Sequence, residues 1–115
     1  MGLDLIKQQE SRYPMSLKPT IDQINQFRDE RNWRPFHNAK DLAISISIEA
    51  AELLEDFQWA SADEGVEKNL ANIKEEIADV LIYTLMLSDN LGLDVEEIIQ
   101  EKLEKNAIKY PINKI

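Results

Sequence analysis

Apolar residues recur every three or four positions along most of the chain, the spacing of a helix face. Ile21, Ile24 and Phe27 begin the pattern behind Thr20 and Gln23, a T-x-x-Q capping box, and predict a first helix starting there. That helix fades at "RNWRPF", where Pro35 disfavours helical geometry at Arg34. Asn38 is positioned to cap a second helix running to about Trp59, with Leu42, Ile46, Leu53 and Phe57 as its inward stripe. Within it "AISISI" alternates with the period of a strand, but "EAAELLEDF" carries the helical spacing onward and decides for helix.

Ser61 and Glu64 form another capping box, ahead of Val66, Leu70, Ile73, Ile77, Val80, Leu81, Thr84 and Leu87 or Ser88. Gly92 breaks this third helix, Asp94 with Glu97 caps a fourth, and Pro111 sets its end. Four helices with short connections and no internal repeat predict an all-α, four-helix-bundle-like fold over residues 20–111. Residues 1–19 form an N-terminal extension to which the pattern assigns no role. Ile44 and Ile48 lie off the main stripe of the second helix, and a short bundle can bury such surplus against another copy of itself. A homo-oligomer, dimer or tetramer, is the expectation.

Charge interrupts this apolar pattern at one place. In "SIEAAELLEDFQW" the inward stripe that passes Leu42 and Ile46 reaches Glu49 before Leu53 and Phe57 resume it. Ser45, Glu49, Glu52 and Asp56 line one edge of the buried face, with no lysine or arginine in the segment. "KEEIADVLIY" repeats the arrangement, with Glu76 and Asp79 three apart beside Ile77 and Val80, and Asn72 and Tyr83 on the same face. Carboxylates turned towards a core are costly, or take up protons, unless something positive faces them. An antiparallel hairpin of these two helices would bring the four together, and hard oxygen donors suit magnesium or manganese. Pairs such as Glu64/Glu67 and Glu101/Glu104 show that the spacing by itself also describes a solvated helix face. On the residues alone, a metal site and a pair of acidic groove edges both stand.

Composition removes several alternatives. The chain has 115 residues, enough for one domain, and 43% of them are hydrophobic. It has no cysteine, which excludes thiol chemistry and disulfides, and its single histidine leaves a serine-type triad unsupported. A formal charge of −9 argues against a nucleic acid polymer as partner, though divalent cations would let an acidic site hold a nucleotide. No apolar run approaches a membrane span and the N-terminal stretch lacks the apolar core of a signal peptide, so a cytoplasmic protein is expected.

The segments "RNWRPFHNAKDLAISISIEAAELLEDFQW", "EEIADVLIYTLMLSDNLGLD" and "KLEKNAIKYP" together resemble the MazG-like all-α nucleoside triphosphate pyrophosphohydrolases, and most of all their small dCTP pyrophosphatase branch. The resemblance covers roughly residues 20 to 111. It implies that Glu49, Glu52, Glu76 and Asp79 hold magnesium, with manganese a possible substitute. The implied reaction is attack of water on the α-phosphorus, giving a nucleoside monophosphate and pyrophosphate, with Glu49 or Glu52 as general base. The broader role would be removal of unwanted nucleotides.

The resemblance also assigns binding residues. Lys102, Asn106 and Lys109 share one face of the fourth helix and would approach the phosphates; helix-dipole complementarity accounts for Lys109 equally well. Trp33, His37, Trp59 and Tyr83 are the positions that similar proteins use around the base and sugar. Without the resemblance, Trp33 and Phe36 also read as a plug at the end of the bundle, and His37 as a helix cap. Two alternatives complete the set: a related enzyme acting on dUTP or phosphoribosyl-ATP, and a non-catalytic helical module whose acidic edges bind a basic partner.

Overall fold

A computed structural model describes residues 16–112. They form four α-helices: α1 (Lys18–Glu30), α2 (Ala39–Glu55), α3 (Ala62–Asn90) and α4 (Val95–Lys109), with a single 3-10 turn at Arg34–Phe36. No strand occurs among the described residues, so "AISISI" is helical despite its alternation. Most of the expected extension, residues 1–19, lies outside the described residues.

Three helix starts are made by the side chains that the sequence pointed to. Asn38 accepts from the Asp41 amide at 2.9 Å, and Asp94 from the Glu97 amide at 3.1 Å. Ser61 and Glu64 form a reciprocal capping box. Such caps are local, needing only residues within one turn. The first helix differs from expectation: it begins at Lys18, with Pro19 in its first turn and no side-chain cap, so Thr20 and Gln23 are not its capping box. Proline's fixed φ suits that first turn. The second helix is also shorter than predicted, ending at Glu55 with turns through Trp59. Gly92 adopts φ +67 after α3, and the Leu93 amide reaches back to the Ser88 carbonyl at 2.9 Å. That closure suits a residue without a Cβ.

The principal packed pair is α2 against α3, and α1 lies on α3. Leu42, Ile73, Leu85 and Met86 are buried, together with Val95 at the start of α4. Arg28 is buried too, with Nη1 donating to the Met86 carbonyl at 3.5 Å. Part of the predicted core of α3 is on the outside: Val66, Leu70, Ile77 and Leu81 are all exposed, forming an apolar flank that the described residues do not cover. Beyond Val95, α4 buries almost nothing, and Ile98, Ile99, Leu103 and Ile108 face solvent. The radius of gyration is 18.1 Å, against roughly 13 Å expected of a compact chain this long.

Gly65 sets how closely the α2–α3 connection can approach. A Cβ there would stand 2.5 Å from the Phe57 ring and 3.1 Å from the Asp56 carbonyl oxygen. Gly65→Ala should therefore lower the midpoint of urea unfolding. An overpacking cost of about 1–3 kcal/mol exceeds the helix propensity of up to about 1 kcal/mol that alanine returns. A midpoint equal to or above that of the wild type would show that the contact is loose.

Candidate active site

The helical hairpin places the two acidic pairs on facing sides of one groove. Glu49 is partly buried, and its carboxyl is pushed up to about 7. Partial burial is the first cause, followed by the hydrogen bond and charge of Glu52 and then the charges of Asp79 and Glu76. Glu76 is likewise raised, by burial and then by the charges of Asp56, Glu52 and Asp79. The Tyr83 phenol is pushed up by burial and by Glu49, Asp79 and Glu52, which keeps it a hydrogen-bond donor at neutral pH. Glu49 and Glu52 stand one turn apart on α2, and Glu76, Asp79 and Tyr83 follow one another at successive turns of α3.

Among the described residues no lysine or arginine pairs with any of these carboxylates. One buried oxygen on each of Glu49, Asp56 and Glu76 has no hydrogen-bond partner. Unpaired buried carboxylate oxygens on facing helices fit a divalent cation, and an all-oxygen donor set suits magnesium. No three of the described acidic or histidine side chains form a ready-made coordination sphere. Magnesium does not need one, because it is commonly held by one or two carboxylates with water and phosphate completing the shell.

Beside Asp79 opens an apolar cavity of about 420 Å³. Trp33, Tyr83, Phe27, Ile24, Ile82 and Met86 wall it, with Gln23 as an uncharged polar group. Trp33 meets the Phe27 ring edge-on at 5.4 Å and the His37 ring at 6.0 Å. The structure thus brings Trp33 and Tyr83 into one cavity with an acidic residue. The size and lining resemble those of small-molecule sites generally.

The remaining candidates are placed elsewhere within this chain. His37 stands behind Trp33 rather than on the cavity wall, and its carbonyl accepts from the Asn90 side chain at 2.8 Å. Burial and the charges of Arg28 and Arg34 lower its pKa, so its imidazole is neutral at pH 7. The cap of α2 is Asn38, not His37. Trp59 is 93% exposed and holds φ +61, an uncommon conformation for a bulky residue. Lys102, Asn106 and Lys109 ride on α4, which projects from the hairpin; Lys102 and Lys109 are exposed, and the Lys109 ammonium lies 5.3 Å from the Tyr110 ring. Gln23, Ile24, Phe27, Ile82 and Met86 are additions to the candidate site residues. Ile24 and Phe27 were legible only as inward positions of a first helix.

An all-α fold with acidic pairs on the facing helices of a hairpin, opening onto an aromatic cavity, defines the class of protein. The chain belongs to the MazG-like family, whose model matches residues 44–115. It is 33% identical over 110 residues to dCTP pyrophosphatase 1 of Rattus norvegicus, covering 88% of this chain and 65% of that protein. The Homo sapiens protein of the same name is 32% identical over 109 residues, covering 87% of this chain and 64% of its own length. This chain therefore spans slightly less than two thirds of these relatives. The crystal structure of a pyrophosphatase from Archaeoglobus fulgidus matches with a TM-score of 0.78 at 47% identity, over 83% of this chain and 92% of that one. The all-α expectation is borne out. No helix among the described residues is long and apolar enough to cross a membrane.

Proposed function

We propose that this chain is a divalent-metal-dependent nucleoside triphosphate pyrophosphohydrolase that prefers a dCTP-like substrate and releases the nucleoside monophosphate and pyrophosphate. The observation that carries this reading is the adjacency of the acidic groove and the aromatic cavity, with Asp79 belonging to both. A base seated between Trp33 and Tyr83 gains stacking of about 1–3 kcal/mol per aromatic face, and its phosphates then extend into the groove. The names and identities of the relatives support the same substrate class.

Glu49, Glu52, Glu76 and Asp79 are the residues that would hold magnesium. When bound, the ion supplies charge neutralisation and Lewis acidity to the phosphate chain. Glu49 or Glu52 accepts the proton of the water that attacks the α-phosphorus. The bond from that phosphorus to the bridging oxygen breaks, and pyrophosphate leaves. Lys102 and Asn106 remain candidates for the phosphates, with Lys109 at the end of the same face.

A homo-oligomer accompanies this reading. Ile44, Ile48, Leu54, Ile77 and Leu81 are exposed, as is most of the apolar face of α4. Patches of this kind on a small domain mark association surfaces. Light scattering coupled to size exclusion should give a dimer or tetramer, and Ile48→Glu should shift the mass towards monomer. A wild-type protein that elutes as a monomer at micromolar concentration would remove this part of the proposal.

The decisive assay measures pyrophosphate release across the eight common nucleoside triphosphates and 5-methyl-dCTP, with magnesium and with chelator. Metal-dependent release, greatest with a cytosine nucleotide, is expected. Folded protein that is silent on every substrate and binds no magnesium would overturn the reading in favour of a non-catalytic acidic module.

A further inference from the structure

Two helices and one loop wall the apolar cavity. Gln23, Ile24 and Phe27 share one face of α1, and α3 contributes residues at successive turns from Asp79 to Met86. Trp33 comes from the connection after α1. The chain's own contacts hold these walls. Arg28 is buried and its Nη1 donates to the Met86 carbonyl at 3.5 Å, while the Trp33 amide donates to the Arg28 carbonyl at 2.9 Å.

A nucleobase is apolar on its two faces and polar along its edge, and apolar walls leave that edge without hydrogen bonds. Four of the lining side chains carry nitrogen or oxygen, and they are not equivalent. The Trp33 indole has a single donor, the Tyr83 hydroxyl works through one oxygen, and the Asp79 carboxylate only accepts. Among these four, Gln23 alone sets a donor and an acceptor on separate atoms of one plane. The side-chain hydrogen bonds of α1 engage Lys18, Asp22, Arg28, Asp29 and Arg31, and leave the Gln23 amide with no partner among the described residues. Gln23 is an exposed residue, so its amide can turn either end towards a ligand.

We propose that Gln23 recognises the nucleobase, pairing its carboxamide with the 4-amino group and N3 of cytosine. The assignment rests on the pyrophosphohydrolase reading and adds to it the side chain that meets the base edge. Cytosine sets a donor, N4–H, beside an acceptor, N3. The carboxamide sets an acceptor beside a donor, so two parallel hydrogen bonds form in one plane. Glutamine holds adenine in a DNA groove by the same paired geometry. Uracil presents the opposite pair, which the reversed amide matches. Stacking on Trp33 or Tyr83 tolerates any base, so recognition lies in the edge contact.

The test crosses a change in the protein with a change in the substrate. Magnesium-dependent pyrophosphate release gives kcat/KM for dCTP and for the triphosphate of 2-pyrimidinone deoxyriboside, the same nucleotide without its 4-amino group. In the wild type, loss of that group should lower kcat/KM by about tenfold or more. In Gln23→Leu, dCTP should fall by a similar factor, chiefly through KM, and the two substrates should become nearly equal. Leucine is as good a helix former as glutamine, so this exposed position on α1 tolerates the change. A Gln23 that only supports the helix would affect both substrates alike and leave the wild-type ratio intact, which overturns the assignment. A wild type indifferent to the 4-amino group overturns it as well. Gln26→Leu, at an exposed glutamine that does not line the cavity, should keep the wild-type ratio, and loss of the ratio there too would overturn the assignment. Wild-type protein that hydrolyses other nucleotides but not dCTP overturns the assignment and leaves the pyrophosphohydrolase reading standing. Wild-type protein that hydrolyses none overturns both.

Discussion

Glu52→Gln is expected to lower metal-dependent pyrophosphate release by on the order of a thousandfold while the circular dichroism spectrum remains that of the folded wild type. The side chain is exposed on the groove edge, so the substitution removes a charge and a proton acceptor without disturbing packing. Its charge acts on Glu49, Glu76 and Tyr83. An amide of the same size cannot take a proton from water and is a weak ligand for a hard cation. Retention of more than a tenth of the wild-type turnover at saturating magnesium would remove Glu52 from the catalytic set.

The second large effect is on stability and needs no substrate. The Glu49 carboxyl stands at about 7 in the folded chain, above its ordinary 4.5. Between those values the folded state binds more protons than the unfolded state, so in chelator the stability contributed at this site falls as pH rises from about 4.5 to about 7. Above that window the full penalty of the ionised group remains. Glu49→Gln should therefore raise the metal-free melting temperature at pH 8, by about 4 °C for each kcal/mol relieved. It should also flatten the decline of stability across the acidic range. Magnesium should raise the melting temperature of the wild type at pH 8, where the carboxylates are ionised, more than at pH 5. A metal-free Glu49→Gln that melts below the wild type at pH 8 would mean that the carboxylates do not repel one another as the groove geometry requires.

Both predictions come from residues that could be found without coordinates, and the reason is physical. A glutamate in an otherwise apolar stripe violates the helix's own pattern, and the violation recurs at Glu76 and Asp79 on the next helix. Caps at Asn38, Ser61 and Asp94 were equally legible, because each is decided within four residues. Thr20 failed as a cap because Pro19 fits the first turn of a helix that starts earlier. Periodicity says that a residue faces inward but not what it faces. Val66, Leu70, Ile77 and Leu81 accordingly read as core and are exposed, whereas Gln23 on α1 became a cavity residue only once α1 was laid on α3. The kink at Asn69 left no recognisable mark in the pattern. Lys102 and Asn106 were reached through family likeness alone, and within one chain α4 does not bring them to the groove.

The unequal surroundings of the two tryptophans give the molecule a built-in optical reporter. Trp33 is 38% exposed and meets the Phe27 and His37 rings edge-on at the cavity wall, whereas Trp59 is 93% exposed. Single-tryptophan variants therefore report on two different surroundings. In a Trp59→Phe background, quenching of the remaining emission would follow a base entering the cavity in real time. In a Trp33→Phe background, a blue shift of the other indole on raising protein concentration would follow one chain meeting another.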